Sequence, residues 1–220
     1  MGNGRGTPET RVNPKALRTG PSFESVLRSR KMCRDFLAEP IEAEVLTPVL
    51  HAAFRAPAAG NTSALELLVL TEAQVQQYWN LTLPDSARSE FAWPGLLNAP
   101  ALVIPTVRST AYLERYSAAD KKSSRLGSDE QAWAVPYWYI DGGAAVMALL
   151  LAAEAAGLGA LFFGQFEHEP ALAQAFGLPE SCRALGTLAL GWPAANGRAP
   201  SSSARAARPE PESLIHHQRW

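Results

Sequence analysis

The chain has 220 residues, 47% of them hydrophobic, and a formal net charge of −1. This length predicts one globular domain with a sizeable core, and the near-neutral charge argues against nucleic acid or an anionic membrane as a partner, because such binders usually carry a basic excess. The two cysteines, Cys33 and Cys182, lack the spacing of a disulfide framework or a zinc site, so we interpret them as ordinary thiols in a reducing, cytoplasmic compartment.

Cap residues and apolar periodicity predict the elements of the first half. Residues 1–20 are rich in glycine, proline and charge, which predicts a disordered leader before a domain at 21–220. Ser22 suits an N-cap, and Pro48 predicts a kink or a later start of its helix. Pro105 predicts that its strand lies at an edge of the sheet or ends there. The predicted elements are helices at 22–30, 41–56 and 72–79, a turn-forming segment at 56–62, strands at 65–70 and 101–107, and a helical turn at 94–98.

Residues 108–136 show no clear period, and we predict a long excursion of the kind that forms a lid or a pocket wall. An aromatic cluster follows, and two interpretations of it stay open: core packing, or a wall for a flat ligand. The candidate pocket residues are Trp133, Tyr137 and Trp138.

The stretch 141–159 predicts a buried helix with Asp141 as N-cap and Gly157 just past its end. It is apolar almost all round, and we interpret Glu154 as a solvent or capping charge. The run is shorter than the roughly 20 apolar residues that span a bilayer. Its own domain or another subunit is therefore expected to cover it.

The last part predicts a strand at 160–163, a helix at 169–176 closed by Gly177, and a strand at 184–190. Gly157-x-Gly159 closes a helix and lacks a third glycine, which excludes a dinucleotide-binding fingerprint. The histidines lack ligand spacing, so no metal site is predicted. The tail at 193–220 ends in apolar side chains, which predicts that it docks on another surface.

A basic cluster lies near the start of the domain, at Arg28, Arg30, Lys31 and Arg34. A solvated surface is the ordinary interpretation of such a cluster. The alternative is a phosphate clamp, because guanidinium groups bind phosphate oxygens in pairs and stay charged at any working pH.

Four segments in this order resemble the nitroreductase family of FMN flavoproteins, over about residues 22–220. Arg30-Lys31-Met32-Cys33-Arg34-Asp35-Phe36 is similar to R-R-S-x-R-x-F, and Ala56-Pro57-Ala58-Ala59-Gly60-Asn61 to A-P-S-x-x-N. The third match is to the family's D-x-G-x, GLG and G-G-F-D-like turn, which resemble Asp141-Gly142-Gly143-Ala144, Gly157-Leu158-Gly159 and Gly164-Gln165-Phe166-Glu167. The fourth match is to the family's C-terminal motifs, which resemble Leu190-Gly191-Trp192-Pro193, Arg205, Arg208-Pro209 and Gln218-Arg219-Trp220.

This resemblance implies an α+β fold with a mixed central sheet flanked by helices, in an intertwined homodimer whose extended C-terminal tail docks on the partner subunit. It also implies FMN as cofactor and NAD(P)H as co-substrate. The backbone at Gly164 and Gln165 would approach the flavin near N5. The implied contacts to the phosphate are Arg30, Lys31, Arg34 and Arg205, and Met32 and Arg208 are further implied cofactor-binding residues. The residues implied to reach the flavin from the other subunit are Pro57, Ala58, Ala59 and Asn61.

The chain departs from the family pattern where Met32 and Ala58 replace serines, and where Thr62-Ser63-Ala64-Leu65 replaces x-Q-P-W. The implied function is an FMN-dependent NAD(P)H oxidoreductase that passes electrons, by a ping-pong mechanism, to a flat electron-poor acceptor such as a nitroaromatic, quinone or enone. Two alternatives stay open: a flavin-binding protein without NAD(P)H turnover, and a flavin-dependent dehydrogenase of a biosynthetic pathway.

Overall fold

The computed structural model describes residues 20–200 and 206–220. The predicted leader therefore lies, apart from Gly20, outside the described residues. The helices are α1 (Phe23–Ser29), α2 (Ala43–Ala52), α3 (Ala73–Thr82), α4 (Asp85–Arg88), α5 (Ser109–Ser117), α6 (Tyr137–Ala155) and α7 (Glu169–Phe176), and the strands are β1 (Leu65–Thr71), β2 (Ala101–Val107), β3 (Gly159–Phe163), β4 (Arg183–Ala184) and β5 (Thr187–Gly191).

The strands form one sheet in the order β1-β2-β5-β3, with β4 paired to β2. These ladders are antiparallel, and a parallel bridge joins Met32 to Ala160 of β3. Helices cover both faces of the sheet. The predicted α+β architecture, a mixed central sheet flanked by helices, is confirmed.

Alternate residues of the buried strand β2 point to opposite faces of the sheet. Leu102 and Ile104 belong to a cluster with residues of α3 and α7, whereas Ala101 and Val103 pack with residues of α2 and α6. All seven residues of β2 are buried. The sheet is therefore the middle layer between two helical layers, as its apolar sequence requires.

Helix α6 is longer at its N-terminus than the sequence indicates. It begins at Tyr137, directly after Pro136, and ends where Gly157 takes a left-handed conformation with φ 80°. The predicted N-cap at Asp141 is therefore wrong, because the fixed φ of Pro136 already suits the start of a helix. The predicted end at Gly157 is confirmed.

The charge in this helix is also placed differently from the prediction. The Glu154 side chain is only 8% exposed, and its Oε1 lies 2.8 Å from Nη1 of Arg198. The interpretation of Glu154 as a solvent charge is wrong. It forms a largely buried ion pair that ties the end of α6 to the segment after β5.

By length and mean hydropathy α6 could cross a membrane, with 19 residues and a value of 1.3. Its Leu149 and Ala153 are fully buried, however, and pack in the cluster between the sheet and α2. This position is that of a core helix. Tyr139, Ile140 and Met147 remain exposed, so the chain covers only part of this helix.

Pro105 lies in a central strand, so the predicted edge position is wrong. Strand β2 pairs with β1 throughout, but with β5 only through residues 101–103 and with β4 only through 106–107. Between these two ladders the chain turns at Gly186, which has φ 137° and also divides the predicted strand at 184–190. Pro105 tolerates this position because no donor is needed there; its carbonyl accepts a hydrogen bond from Leu185.

Several boundaries follow the prediction closely. Ser22 caps α1 through a hydrogen bond from the Ser25 backbone, and α7 ends at the left-handed Gly177. Helix α2 contains Pro48 in its interior instead of starting at it. The excursion at 108–136 contains α5, which was not predicted because its apolar residues are few.

Candidate functional site

The basic segment near the start of the domain is fastened to the sheet by its backbone. The Cys33 N–H donates to the carbonyl of Ala160 at 2.9 Å, beside the Met32 bridge. The Arg34 N–H donates to the carbonyl of Gly197 at 2.8 Å. The side chains of this segment therefore project from a fixed backbone at the edge strand β3.

Three cations of this segment have no carboxylate partner in the part of the chain that the structure describes. Arg30, Lys31 and Arg34 form no ion pair among the described residues. The Nη1 of Arg30 is buried and has no hydrogen-bond partner there. Because a buried, unpaired guanidinium nitrogen is costly, this arrangement favours a bound anion such as a phosphate.

The turn that follows β3 carries free backbone donors. Among the described residues, the N–H groups of Gly164 and Gln165 make no backbone hydrogen bond. The Gln165 side chain is only 6% exposed, and its Nε2 donates to Oγ1 of Thr187 at 2.9 Å. The same Thr187 hydroxyl lies 2.9 Å from the Tyr78 hydroxyl. This buried network, from α3 through β5, fixes the turn.

Burial raises the pKa of Tyr78 to about 12 from an ordinary value of 10.0, with the Thr187 hydrogen bond acting in the opposite direction. Because the folded state holds this proton more tightly than the unfolded state, the stabilisation is complete below pH 10 and is lost as the pH rises towards 12. We expect the loss to be about 3 kcal/mol at 1.36 kcal/mol per pKa unit. Urea unfolding of wild type and Tyr78→Phe across this range measures it: the variant should lose less stability, and equal losses would contradict the assignment.

An aromatic cavity of about 240 Å³ lies beside this turn. The turn residues Gly164 and Gln165 line it, and so does Trp93. The Arg34 guanidinium carbon lies 5.4 Å from the centre of the Trp93 ring. Trp93 thus lies in the cavity wall with the turn and also contacts Arg34, so a cation of the basic segment is one side chain away from the cavity.

The segment after α2 lies at a different cavity of about 290 Å³, which is lined in part by Pro57, Ala58 and Asn61. Two helices fix this segment: the Ala59 N–H donates to Oδ2 of Asp141 at 2.7 Å, and Nε of Arg115 donates to the Gly60 carbonyl at 2.8 Å. Within one protomer this segment and the aromatic cavity remain separate.

Asp141 links distant segments of the chain through its carboxylate instead of capping a helix. Its Oδ2 accepts hydrogen bonds from both the Ala59 backbone and the Tyr112 hydroxyl, each at 2.7 Å. Burial, together with the carboxylate of Asp141, raises the pKa of Tyr112. Asp141 therefore joins α5, α6 and the segment at 57–61.

The candidate pocket residues of the aromatic cluster differ in exposure. Trp133 and Trp138 are buried and pack with Tyr112, and the Trp133 Nε1 donates to the carbonyl of Leu126 at 2.8 Å. Tyr137 is 43% exposed. Of the three, Tyr137 has the ring best placed to meet a ligand.

The predicted contacts from the C-terminal tail are Arg205 and Arg208. Arg205 lies outside the described residues, and Arg208 is exposed in the segment 206–220. In that segment the apolar side chains of Leu214, Ile215 and Trp220 are also exposed. The docking of the tail stays a prediction.

The sequence profile of the Nitroreductase family matches residues 27–192. The chain belongs to the nitroreductase family. Solved structures with this fold include nitroreductase A from Vibrio parahaemolyticus, with a TM-score of 0.64 and 17% identity over 90% of this chain and 76% of that one. A nitroreductase family protein from Clostridium difficile 630 has a TM-score of 0.62 and 19% identity over 91% and 99% of the two chains. An FMN-dependent nitroreductase from Clostridium difficile R20291 has a TM-score of 0.61 and 17% identity over 89% of this chain and 98% of that one.

The residues present fit the cofactor of the family. Among the described residues, the unpaired Nη1 of Arg30 is a donor suited to a phosphate oxygen. The free N–H groups of Gly164 and Gln165 are donors suited to an electron-rich ring. Sequence reasoning missed Tyr78, Trp79 and Thr187, because only the fold brings α3 and β5 to the turn after β3. No local motif contains this network, although the adjacent aromatic pair on α3 is visible in the sequence.

Proposed function

We propose that the protein is an FMN-dependent oxidoreductase that takes electrons from NAD(P)H and passes them, by a ping-pong mechanism, to a flat electron-poor acceptor such as a nitroaromatic, quinone or enone. Family membership and one observation carry this proposal: within the described part of the chain, Nη1 of Arg30 is buried and unpaired, in a segment with two further cations that form no ion pair there. Similar folds include a protein named an FMN-dependent nitroreductase.

Arg30, Lys31 and Arg34 would bind the phosphate of FMN, with Arg205 and Arg208 of the tail completing the site. Met32, in place of a serine, would contribute its backbone and its apolar side chain. The N–H groups of Gly164 and Gln165 would stabilise negative charge on the ring, as preorganised donors do in other enzymes. Bound FMN would supply the hydride chemistry, so no catalytic side chain of this chain is required.

The protein is proposed to act as a homodimer in the cytoplasm. Pro57, Ala58 and Asn61 line a cavity separate from the aromatic one, and Ala59 belongs to the same segment, so a second copy would be needed to bring this segment to the same flavin. The exposed apolar side of α6, around Tyr139 and Met147, offers a surface for this contact. The tail, with its exposed Trp220, would dock on the partner subunit.

Steady-state kinetics with NADH or NADPH and a series of quinones and nitroaromatics tests the proposed activity. We expect parallel lines in double-reciprocal plots, because donor and acceptor use the site in turn. Tight FMN binding without oxidation of either donor would support a flavin-binding protein or a dehydrogenase with another reductant.

A variant at Tyr137, such as Tyr137→Ala, is expected to change acceptor KM more than donor KM because this ring is accessible.

A further inference from the structure

Among the described residues, one side chain that lines the aromatic cavity has a buried polar atom without a hydrogen-bond partner. Trp79 on α3 is 4% exposed and lines the cavity beside Gly164 and Gln165. Its indole Nε1 is buried and has no hydrogen-bond partner among the described residues. A buried indole N–H normally finds an acceptor, so an unused one favours a ligand that supplies it.

The neighbouring polar side chains are satisfied by the protein. Tyr78 and Gln165 both bond to Thr187, and the Thr82 hydroxyl donates to the carbonyl of Tyr78 at 3.0 Å. Trp79 is therefore the exception in this wall of the cavity. The unpaired nitrogen is specific to Trp79 and does not reflect loose packing of the wall.

The Trp79 ring is held in one orientation by aromatic neighbours. It stacks on Phe163 with ring centres 6.0 Å apart and planes 8° apart, and it meets Tyr78 edge to face at 5.1 Å. Phe163 directly precedes the turn at Gly164 and Gln165. The donor is thus preorganised next to the turn that is proposed to meet the flavin.

We propose that Trp79 is a further cofactor-binding residue, whose indole N–H donates to an oxygen or nitrogen at the edge of the flavin ring. This inference rests on the proposed function. A fixed donor at that edge favours the reduced, more electron-rich form of the ring. Trp79 would therefore strengthen FMN binding and raise the reduction potential of the bound cofactor.

The variant Trp79→Phe keeps a ring for stacking on Phe163 and removes the N–H. We expect FMN to bind about tenfold more weakly, the effect of losing one hydrogen bond, and the midpoint potential of the bound flavin to become more negative. FMN fluorescence quenching measures the affinity, and anaerobic dye equilibration measures the potential. The thermal stability of the apoprotein should fall less than for an ordinary core tryptophan, because an unpaired donor is removed.

Trp192→Phe is the matched control. The Trp192 Nε1 already donates to the carbonyl of Pro40 at 3.2 Å, and this residue does not line the aromatic cavity. The control should lose stability and keep its FMN affinity. If Trp79→Phe folds poorly, β-(3-benzothienyl)alanine at position 79 retains the tryptophan shape without an N–H.

Two results would overturn the inference. In one, FMN affinity and potential remain unchanged on loss of the N–H. In the other, only the KM of the acceptor rises, which would assign the donor to the substrate instead of the flavin. If the wild-type protein binds no FMN, the proposed function itself fails, and this outcome is distinct from an unchanged variant of a flavin-binding protein.

Discussion

Replacing Arg30 with methionine is expected to weaken FMN binding about 10- to 100-fold, because a hydrogen bond to a charged group contributes about 1.5–3 kcal/mol. Methionine retains the apolar stem of the side chain and removes the guanidinium. In the apoprotein the Arg30 Nη1 is buried and unpaired, so the same variant should unfold at an equal or higher temperature than wild type. A loss of affinity without a loss of apoprotein stability is the pattern of a ligand-binding group.

Arg28→Met provides the control for this prediction. Arg28 lies on α1, two residues before Arg30, and pairs with Glu24, but its side chain is 79% exposed, so its removal should leave FMN affinity unchanged. Equal FMN affinity in wild type and Arg30→Met, measured by fluorescence titration at one ionic strength, would remove Arg30 from the proposed phosphate site. A large drop in apoprotein stability would instead indicate a structural role.

Met147→Glu is expected to convert the proposed dimer to a monomer, raising the dimer dissociation constant by about 100-fold or more. Met147 lies in an open apolar groove of about 390 Å³ on the exposed side of α6, with Val146 and Leu150. A carboxylate buried there on association would have no partner, and such a charge costs several kcal/mol. Because the flavin site is proposed to lie between subunits, the monomeric variant should also lose FMN.

Met147→Leu keeps the volume and the apolar character of the side chain, so it should remain dimeric and retain FMN. Sedimentation velocity over a range of protein concentrations separates the two variants. A Met147→Glu protein that sediments as wild type would exclude this face of α6 from the interface. A wild-type protein that is monomeric would contradict the proposed homodimer altogether.

Much of the fold follows from local sequence. The strand at 101–107 and the helix at 169–176 are continuous apolar or amphipathic runs bounded by turn residues, and the structure has them with these bounds. The positions that sequence missed depend on distant partners. Asp141 resembles an N-cap until the fold brings Ala59 and Tyr112 to its carboxylate.

Tertiary context also overrides residue preference in the sheet. Pro105 is expected at an edge, but a gap between two ladders on one side of β2 accommodates it in the centre. The charge of Glu154 suggested exposure until Arg198, 44 residues later, supplied a partner. Neither pairing has a local signal.

The candidate site divides in the same way. The basic segment and the turn at Gly164 and Gln165 were predicted from motifs, and the fold places Trp93 between them, in contact with Arg34 and in the wall of the cavity that the turn lines. The buried Thr187 network and the unpaired Trp79 nitrogen could not be predicted from motifs, because only the packed structure determines which polar groups have a hydrogen-bond partner. The separation of the 57–61 segment from that cavity likewise appears only in three dimensions.

The most direct test of the central claim is the visible absorption spectrum of the purified protein, recorded in air and then anaerobically after addition of NADH or NADPH. We predict flavin bands near about 370 and 450 nm that bleach with at least one of the two donors, and that return when a quinone is added. A colourless protein that also fails to bind added FMN would contradict the assignment of the cofactor and, with it, the proposed function.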